Sequence, residues 1–245
     1  MMDLPGPVDA VFFDAGHTLV YVYPSVGSVY AQIAQAHGVE ADPRILQEAF
    51  RAQWRLAAEA RPTEPPFASD FASEDTERAW WRDMVQKVFA AHPGLESFGD
   101  RFDAFFDELH QHFAAPDAWR VYDDVAPTLE RLNAAGLPCA VVSNWDSRLP
   151  ALLERLGLLH YFALVITSAQ TGCSKPDPRI FEAALARLNA APERTVHIGD
   201  SPVDDAAGAC AAGLRPLLID RQEQYTGGYP RLTALTELLP LLGLE

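Results

Sequence analysis

The sequence predicts an α/β fold, a doubly wound parallel sheet, carrying an inserted α-helical cap. Three observations lead there. From residue 115 onward, short apolar runs alternate with helical periodicities, as in a parallel sheet covered by helices. One apolar run stands apart near the N-terminus, from Val8 to Phe13. Between the two, residues 23–114 carry helical spacing and no strand pattern, so they read as an insertion after the first strand. The core is then residues 1–22 and 115–245, and the cap is residues 23–114.

Val8 to Phe13 reads as a buried strand because it is nearly continuous in apolar residues and rich in Val and Phe. Asp14 follows where that strand stops. Val20 to Gly27, with Pro24, reads as a linker or hinge. Val29, Ile33 and Ala36 then repeat at helical spacing up to a stop at Gly38. Asp42-Pro43 opens a second helix, with Ile45, Ala49, Ala52 and Leu56 on one stripe and Leu46, Phe50 and Trp54 beside it. Arg61 to Phe71 is proline-rich and reads as a loop. Ser73 or Asp75 starts a third helix through Trp80, Met84, Val88 and Phe89, broken at Gly94. A fourth runs from Phe98 to Phe113. Its aromatics read as the core of a helical bundle.

Pro116 to Tyr122 brings the chain back. Asp123 or Asp124 caps a helix over Val125–Asn133. Strands over Leu137–Val142, Tyr161–Ile166, Thr195–Ile198 and Leu214–Ile219 alternate with helices over 148–156, Arg179–Leu188 and Ala206–Ala212. The long loop from Thr167 to Pro178 holds Lys175. Leu232 to Leu242 reads as a closing amphipathic helix.

Composition excludes several classes. The chain has 245 residues, is 49% hydrophobic and carries a net charge of −15. Nucleic-acid binding needs clustered Lys and Arg, so no nucleic-acid partner is expected. No eighteen-residue apolar run and no secretory signal pattern occur, which points away from membranes and toward the cytoplasm. Cys139, Cys173 and Cys210 are far apart and odd in number, as in a reducing compartment. Lys87 and Lys175 are the two lysines of the chain.

Four polar clusters stand at strand ends or in the loop between strands: Asp14, Ser143-Asn144, Lys175, and Asp200 with Asp204 and Asp205. In a parallel sheet such ends share one edge. Carboxylates about 4 Å apart repel by about 4 kcal/mol at an effective dielectric near 20. A hard divalent cation with oxygen ligands, Mg²⁺, offsets that repulsion, and Lys175 suits a phosphate as a point charge.

These residues resemble the haloacid dehalogenase-like hydrolase superfamily. Its first motif, an apolar strand and then Asp-x-Asp-x-Thr-Leu, is matched by Asp14-Ala15-Gly16-His17-Thr18-Leu19 except at the second Asp. Ser143 matches the second motif, Lys175-Pro176 the third, and Gly199-Asp200 with Asp204 or Asp205 the fourth. The order is right and the resemblance covers nearly the whole chain. Ser-Asn-Trp-Asp-Ser-Arg-Leu and Lys-Pro-Asp-Pro-Arg-Ile-Phe are similar to the cap-one group, and to its "hydrolase-like domain-containing 3" branch.

The resemblance implies a phosphatase acting on a small phosphorylated molecule, as a monomer or homodimer. Asp14 is its nucleophile, forming an aspartyl-phosphate. Mg²⁺ is held by Asp14, the Gly16 carbonyl, Asp200 and either Asp204 or Asp205, with spacing favouring Asp205. Ser143 and Lys175 bind phosphoryl oxygens, with Asn144, Thr18 and His17 around the substrate. Gly16 stands where the family's phosphatases carry a general acid. General acid–base help is worth roughly 10²–10⁴ in rate. Three consequences stay open: a good leaving group such as an acyl or aryl phosphate, a proton from His17 or a cap residue, or a non-catalytic phospholigand-binding protein. Dehalogenases and phosphonate hydrolases also lack that Asp. The first work without metal, whereas Asp200 is kept here. The second use a cap lysine, and Lys87 reads as a solvated helix-face residue.

Overall fold

The computed structural model describes residues 6–60, 72–90 and 92–244. The proline-rich stretch 61–71, expected as a loop, lies outside them. The elements in chain order are β1 (Ala10–Phe13), β2 (Val20–Val22), α1 (Val26–Ala36), α2 (Pro43–Glu59), α3 (Glu74–Ala90), α4 (Phe102–His112), β3 (Trp119–Val121), α5 (Val125–Ala134) and β4 (Cys139–Ser143). Then come α6 (Leu149–Arg155), β5 (Leu164–Thr167), α7 (Ser168–Thr171), α8 (Pro178–Leu188), β6 (Thr195–Gly199), α9 (Gly208–Ala211), β7 (Arg215–Ile219), β8 (Arg231–Leu232) and α10 (Leu238–Leu241).

The main sheet has the order β5-β4-β1-β6-β7-β8, and every pairing is parallel. β1 is central, and its four residues are all fully buried, as their unbroken apolar run demands. The chain leaves β1 for β4 on one side and β6 on the other. That reversal opens a crevice at the strands' carboxyl ends. Helix α5 and the C-terminal segment cover one face, where Val11, Phe13, Leu129 and Leu238 share a core. Helices α8 and α9 cover the other, around Phe12, Phe181 and Ala209. The insertion between β2 and β3 packs α1–α4 around its own core of Tyr30, Phe89, Phe98 and Phe105. Its expected bundle of aromatics is therefore present. Among the described residues, no helix is long and apolar enough to cross a membrane.

Four local expectations are corrected. Val20–Val22 was expected as a linker but pairs antiparallel with Trp119–Val121, in the register Val20↔Val121 and Val22↔Trp119. The partner lies beyond the whole insertion, so no local pattern reveals it. The fourth cap helix begins later than expected, after a 3₁₀ segment in which Gly99 takes φ 53°. The closing helix 232–242 is replaced by β8, a 3₁₀ turn at Leu235–Glu237 and the short α10. Leu232, Leu235 and Leu238 are buried at a three-residue spacing that imitates a helix, while Pro240 has no N–H to extend one. Asp124 makes no side-chain cap on α5. Its carboxylate instead accepts Arg221 Nη1 at 2.8 Å, Arg221 Nη2 at 3.0 Å and the Leu235 N–H at 2.7 Å.

Candidate active site

β1, β4 and β6 are neighbours, so the residues just past their ends meet. The Asp14 N–H donates to the Ile198 carbonyl at 2.8 Å, which extends the β1–β6 pairing by one residue and fixes the side chain over the crevice. Ser143, the last residue of β4, donates from Oγ to Asp14 Oδ1 at 2.9 Å. Lys175 Nζ donates to Asp14 Oδ1 at 2.6 Å and to Asp205 Oδ1 at 2.5 Å, with the lysine only 3% exposed. Residues from positions 14, 143, 175 and 205 thus form one hydrogen-bonded group, as the sequence predicts.

Asp205 is swung inward by the turn after β6. Pro202–Ala207 coils as a π-helical turn, wider than an α-helix, with Ser201 as its N-cap. Asp205 Oδ2 accepts the Ser201 N–H at 3.0 Å. Oxygens of Asp14, Asp200 and Asp205 lie within 4.8 Å of one another, and these three are the one metal-ligand cluster among the described residues. Of the two alternatives left open by the sequence, Asp205 joins this cluster. Asp204 lies on the same turn, its N–H donating to Ser201 Oγ at 3.0 Å.

The electrostatics follow from three carboxylates around one ammonium. Burial opposes charge on Lys175, but Asp14 and Asp205 outweigh it and hold its pKa above the usual lysine value. Burial also opposes charge on Asp205, yet Lys175 and His197 keep it ionised, well below the carboxylate range. Asp14 is pushed up by burial, and Asp205 adds to this against the pull of Lys175. Asp200 keeps a solvent-facing surface, but surrounding protein and then the charges of Asp14 and Asp205 raise its pKa well above the ordinary value. One cation therefore leaves the group short of positive charge.

That shortage, with hard oxygen donors on three sides, fits Mg²⁺. A six-coordinate ion with oxygens at about 2.1 Å sets them roughly 3–4 Å apart, within the 4.8 Å that bounds the separation of these carboxylate oxygens. Asp14 and Asp200 are the residues suited to hold it. Asp205 Oδ1 is already occupied by Lys175 and by His197 Nε2 at 2.8 Å.

Other expected residues are used differently. Asn144 clamps the lysine's backbone from both sides: its Oδ1 accepts the Lys175 N–H at 2.7 Å, and its Nδ2 donates to the Lys175 carbonyl at 3.0 Å. It thereby positions Lys175. Thr18 is fully buried just past the turn at His17. Its carbonyl accepts Arg221 Nη2 at 2.8 Å. His17 occupies a left-handed turn at φ 55°, with its N–H donating to the Val20 carbonyl at 2.7 Å. The turn is tight because the chain reverses directly into β2. Surrounding protein lowers the His17 pKa, and Asp14 acts in the opposite direction. Gly16 is half-buried beside the crevice. A Cβ there would meet only Trp145 Cζ3, at 3.7 Å. Lys87 pairs with Asp83 at 2.6 Å on an exposed face of α3, consistent with a solvated residue.

Two contributors escaped sequence reasoning. His197 is buried on β6, its ring against Phe181 at 4.9 Å between centroids and its Nε2 on Asp205. The one available signal was a lone polar residue inside the run Val196-His197-Ile198. Trp145 flanks Gly16 and packs on Trp119 at 5.0 Å.

Lys175→Ala strands Asp14 and Asp205 as buried like charges. Removing one partner of a buried ion pair costs about 3–5 kcal/mol. Denaturant unfolding at pH 7 is expected to show a loss of that size. Protonating carboxylates relieves the defect, so the gap from wild type narrows as pH falls.

A parallel sheet with three carboxylates, a lysine and a serine at its switch point, under a helical insertion, defines a hydrolase of the haloacid dehalogenase type. A family model for haloacid dehalogenase-like hydrolases matches residues 8–213, and the chain belongs to that family. It is 34% identical over 241 residues to the mouse (Mus musculus) haloacid dehalogenase-like hydrolase domain-containing protein 3, covering 95% of this chain and 92% of that protein. It is 29% identical over 229 residues to the phosphoserine phosphatase of Thermus thermophilus, covering 86% and 88%. A 2-haloacid dehalogenase structure from Pseudomonas syringae pv. Tomato DC3000 superposes with a TM-score of 0.62 at 25% identity, covering 96% and 98%.

Proposed function

We propose that the protein is a cytoplasmic, Mg²⁺-dependent phosphatase of small phosphorylated molecules, working as a monomer or homodimer. One observation carries this reading: Asp14 and Asp200 approach each other beside a lysine that cannot neutralise both. Such a group is suited to a divalent ion and a phosphoryl group together. The helical unit, residues 23–114, would supply the wall that selects the substrate.

Asp14 Oδ1 receives both Ser143 and Lys175, which orients the other oxygen, Oδ2, as the nucleophile. That oxygen bonds phosphorus as the ester or anhydride oxygen leaves, giving an aspartyl-phosphate. Water then attacks phosphorus, phosphate departs and the carboxylate is restored. Lys175 and Ser143 supply donors to phosphoryl oxygens as charge develops. Bound Mg²⁺, held by Asp14, Asp200 and the Gly16 carbonyl, supplies charge neutralisation. Asp205 and His197 keep Lys175 in place. Since Gly16 carries no acid, the leaving oxygen departs as an anion or is protonated by solvent. This favours acyl and aryl phosphates.

Phosphate release from acetyl phosphate and p-nitrophenyl phosphate is expected with Mg²⁺ and lost on adding a chelator. Mg²⁺ alone is expected to raise the unfolding temperature, with about 2.7 kcal/mol of stabilisation at one hundred times its dissociation constant. No phosphate release from either compound, or chloride release from a 2-haloacid in chelator, would overturn the reading. The dehalogenase alternative rests on the absent acid at position 16, and chloride assays decide it.

A further inference from the structure

The loop 143–148 after β4 faces two ways. Ser143, Asn144 and Trp145 face the crevice, touching Asp14, Lys175 and the flank of Gly16. Asp146, Ser147 and Arg148 face the cap. Asp146 is 4% exposed, and it accepts the Arg148 N–H at 2.8 Å and Arg148 Nε at 2.6 Å. Fixed in this way, Arg148 reaches helix α4. Its Nη1 donates to the His110 carbonyl at 2.9 Å and its Nη2 to His110 Nε2 at 3.0 Å. The Ser147 hydroxyl bonds the Glu74 carboxylate at the start of α3. The His110 carbonyl sits in the last turn of α4, and the amide that would have served it, from Ala114, bonds Gln111 instead. Arg148 therefore satisfies an open carbonyl and sets a cation at the negative end of that helix.

We propose that Arg148 is a positioning residue that latches the cap to the catalytic loop, so that cap closure and the placement of Ser143, Asn144 and Trp145 depend on one another. Glu77, on α3, makes this latch sensitive to pH. It is 4% exposed at the cap–core boundary, with Trp81 Nε1 donating to its Oε1 at 3.2 Å. The charged groups that face it are Asp146 and Arg148 from the loop and Glu74 on α3, while His110 on α4 is faced by Arg148, Arg78, Asp146 and Asp107. Burial and then Asp146 push Glu77 up to about 8, against the pull of Trp81 and Arg148. His110 is lowered to about 4 by burial and the Arg148 and Arg78 guanidiniums, so it is neutral near pH 7. A neutral imidazole accepts at one nitrogen, so Arg148 at Nε2 competes with Arg78 at Nδ1, 3.0 Å away.

The sign follows from proton binding. A closed cap keeps Glu77 protonated, and an open cap returns it to water, where the ordinary value near 4.5 applies. The closed form thus holds a proton that the open form releases between pH 4.5 and 8. Opening is favoured as pH rises through that window and levels off above it.

Hydrogen exchange on the full chain, without ligand, tests this between pH 6 and 9. After correction for intrinsic rates, opening seen in residues 74–90 and 102–112 is expected to rise about tenfold per pH unit up to pH 8, then flatten. Peptides from β7 are expected to show no such rise. Glu77→Gln should abolish the slope. Arg148→Ala should raise exchange in 102–112 about tenfold or more at pH 7, with Arg148→Lys intermediate. The proposal is overturned if Glu77→Gln keeps the slope, or if Arg148→Ala affects α4 no more than β7. Should Arg148→Ala not fold, the Glu77→Gln profile decides alone. Neither arm uses turnover, so the outcome is independent of the phosphatase reading.

Discussion

Asp14→Asn is expected to lower phosphate release by about 10³-fold or more while leaving the fold intact. An amide oxygen still accepts the Ser143 and Lys175 donors that now converge on Oδ1, so the local geometry survives. What disappears is the anionic oxygen that would bond phosphorus in the proposed mechanism. The stability side is equally specific. Three carboxylates share one lysine, and removing a negative charge from that group relieves repulsion with Asp200 and Asp205. The unfolding temperature is therefore expected to hold or rise. Measuring phosphate release and thermal unfolding on the same preparation separates a chemical defect from a folding defect. A variant that turns over like wild type would remove Asp14 from the mechanism.

Gly16→Asp is expected to do the reverse for poor leaving groups. Position 16 is not in the left-handed region that would demand glycine, and a Cβ there makes an ordinary contact with Trp145 at 3.7 Å. A carboxyl group can therefore be carried beside the crevice without backbone strain. If this is where a leaving oxygen departs, a proton donor there should speed hydrolysis of an alkyl phosphate by about 10²–10⁴-fold. Acetyl phosphate and p-nitrophenyl phosphate, whose leaving groups need little protonation, should change far less. The ratio of the two substrate classes is the decisive quantity. An equal change for both would mean that position 16 does not face the leaving group.

The core was legible in the sequence because its signals are local. Continuous apolar runs such as Ala10–Phe13, short and rich in Val and Phe, read as strands buried on both faces, and a parallel sheet sends their ends to one edge. Asp14, Ser143 and Asp200 follow from that rule alone, and the lysine of a lysine-poor chain was easy to single out. The missed features depend on long-range partners. Pairing of Val20–Val22 with Trp119–Val121 has no local signature. His197 resembles an ordinary strand residue until the turn after β6 brings Asp205 onto it. Thr18 was expected beside the substrate because it matches the family's first motif; it lies fully buried just past the turn at His17. Asn144 was expected to donate to the substrate, yet both ends of its amide are taken up by the Lys175 backbone, a partner 31 residues away that no local pattern reveals.

The pairing of Val22 with Trp119 has a consequence for modularity. Partners across an antiparallel ribbon have Cα atoms only about 4.5–5.5 Å apart. The helical unit thus enters and leaves the sheet-bearing unit at nearly one point, like a pendant on a short double cord. Its size is then almost irrelevant to its host, since doubling the length of a closed excursion costs only about 0.6 kcal/mol. A chain built this way can exchange one pendant for another of different length and sequence. The chemistry at the sheet edge stays in place while the surface facing it is rewritten.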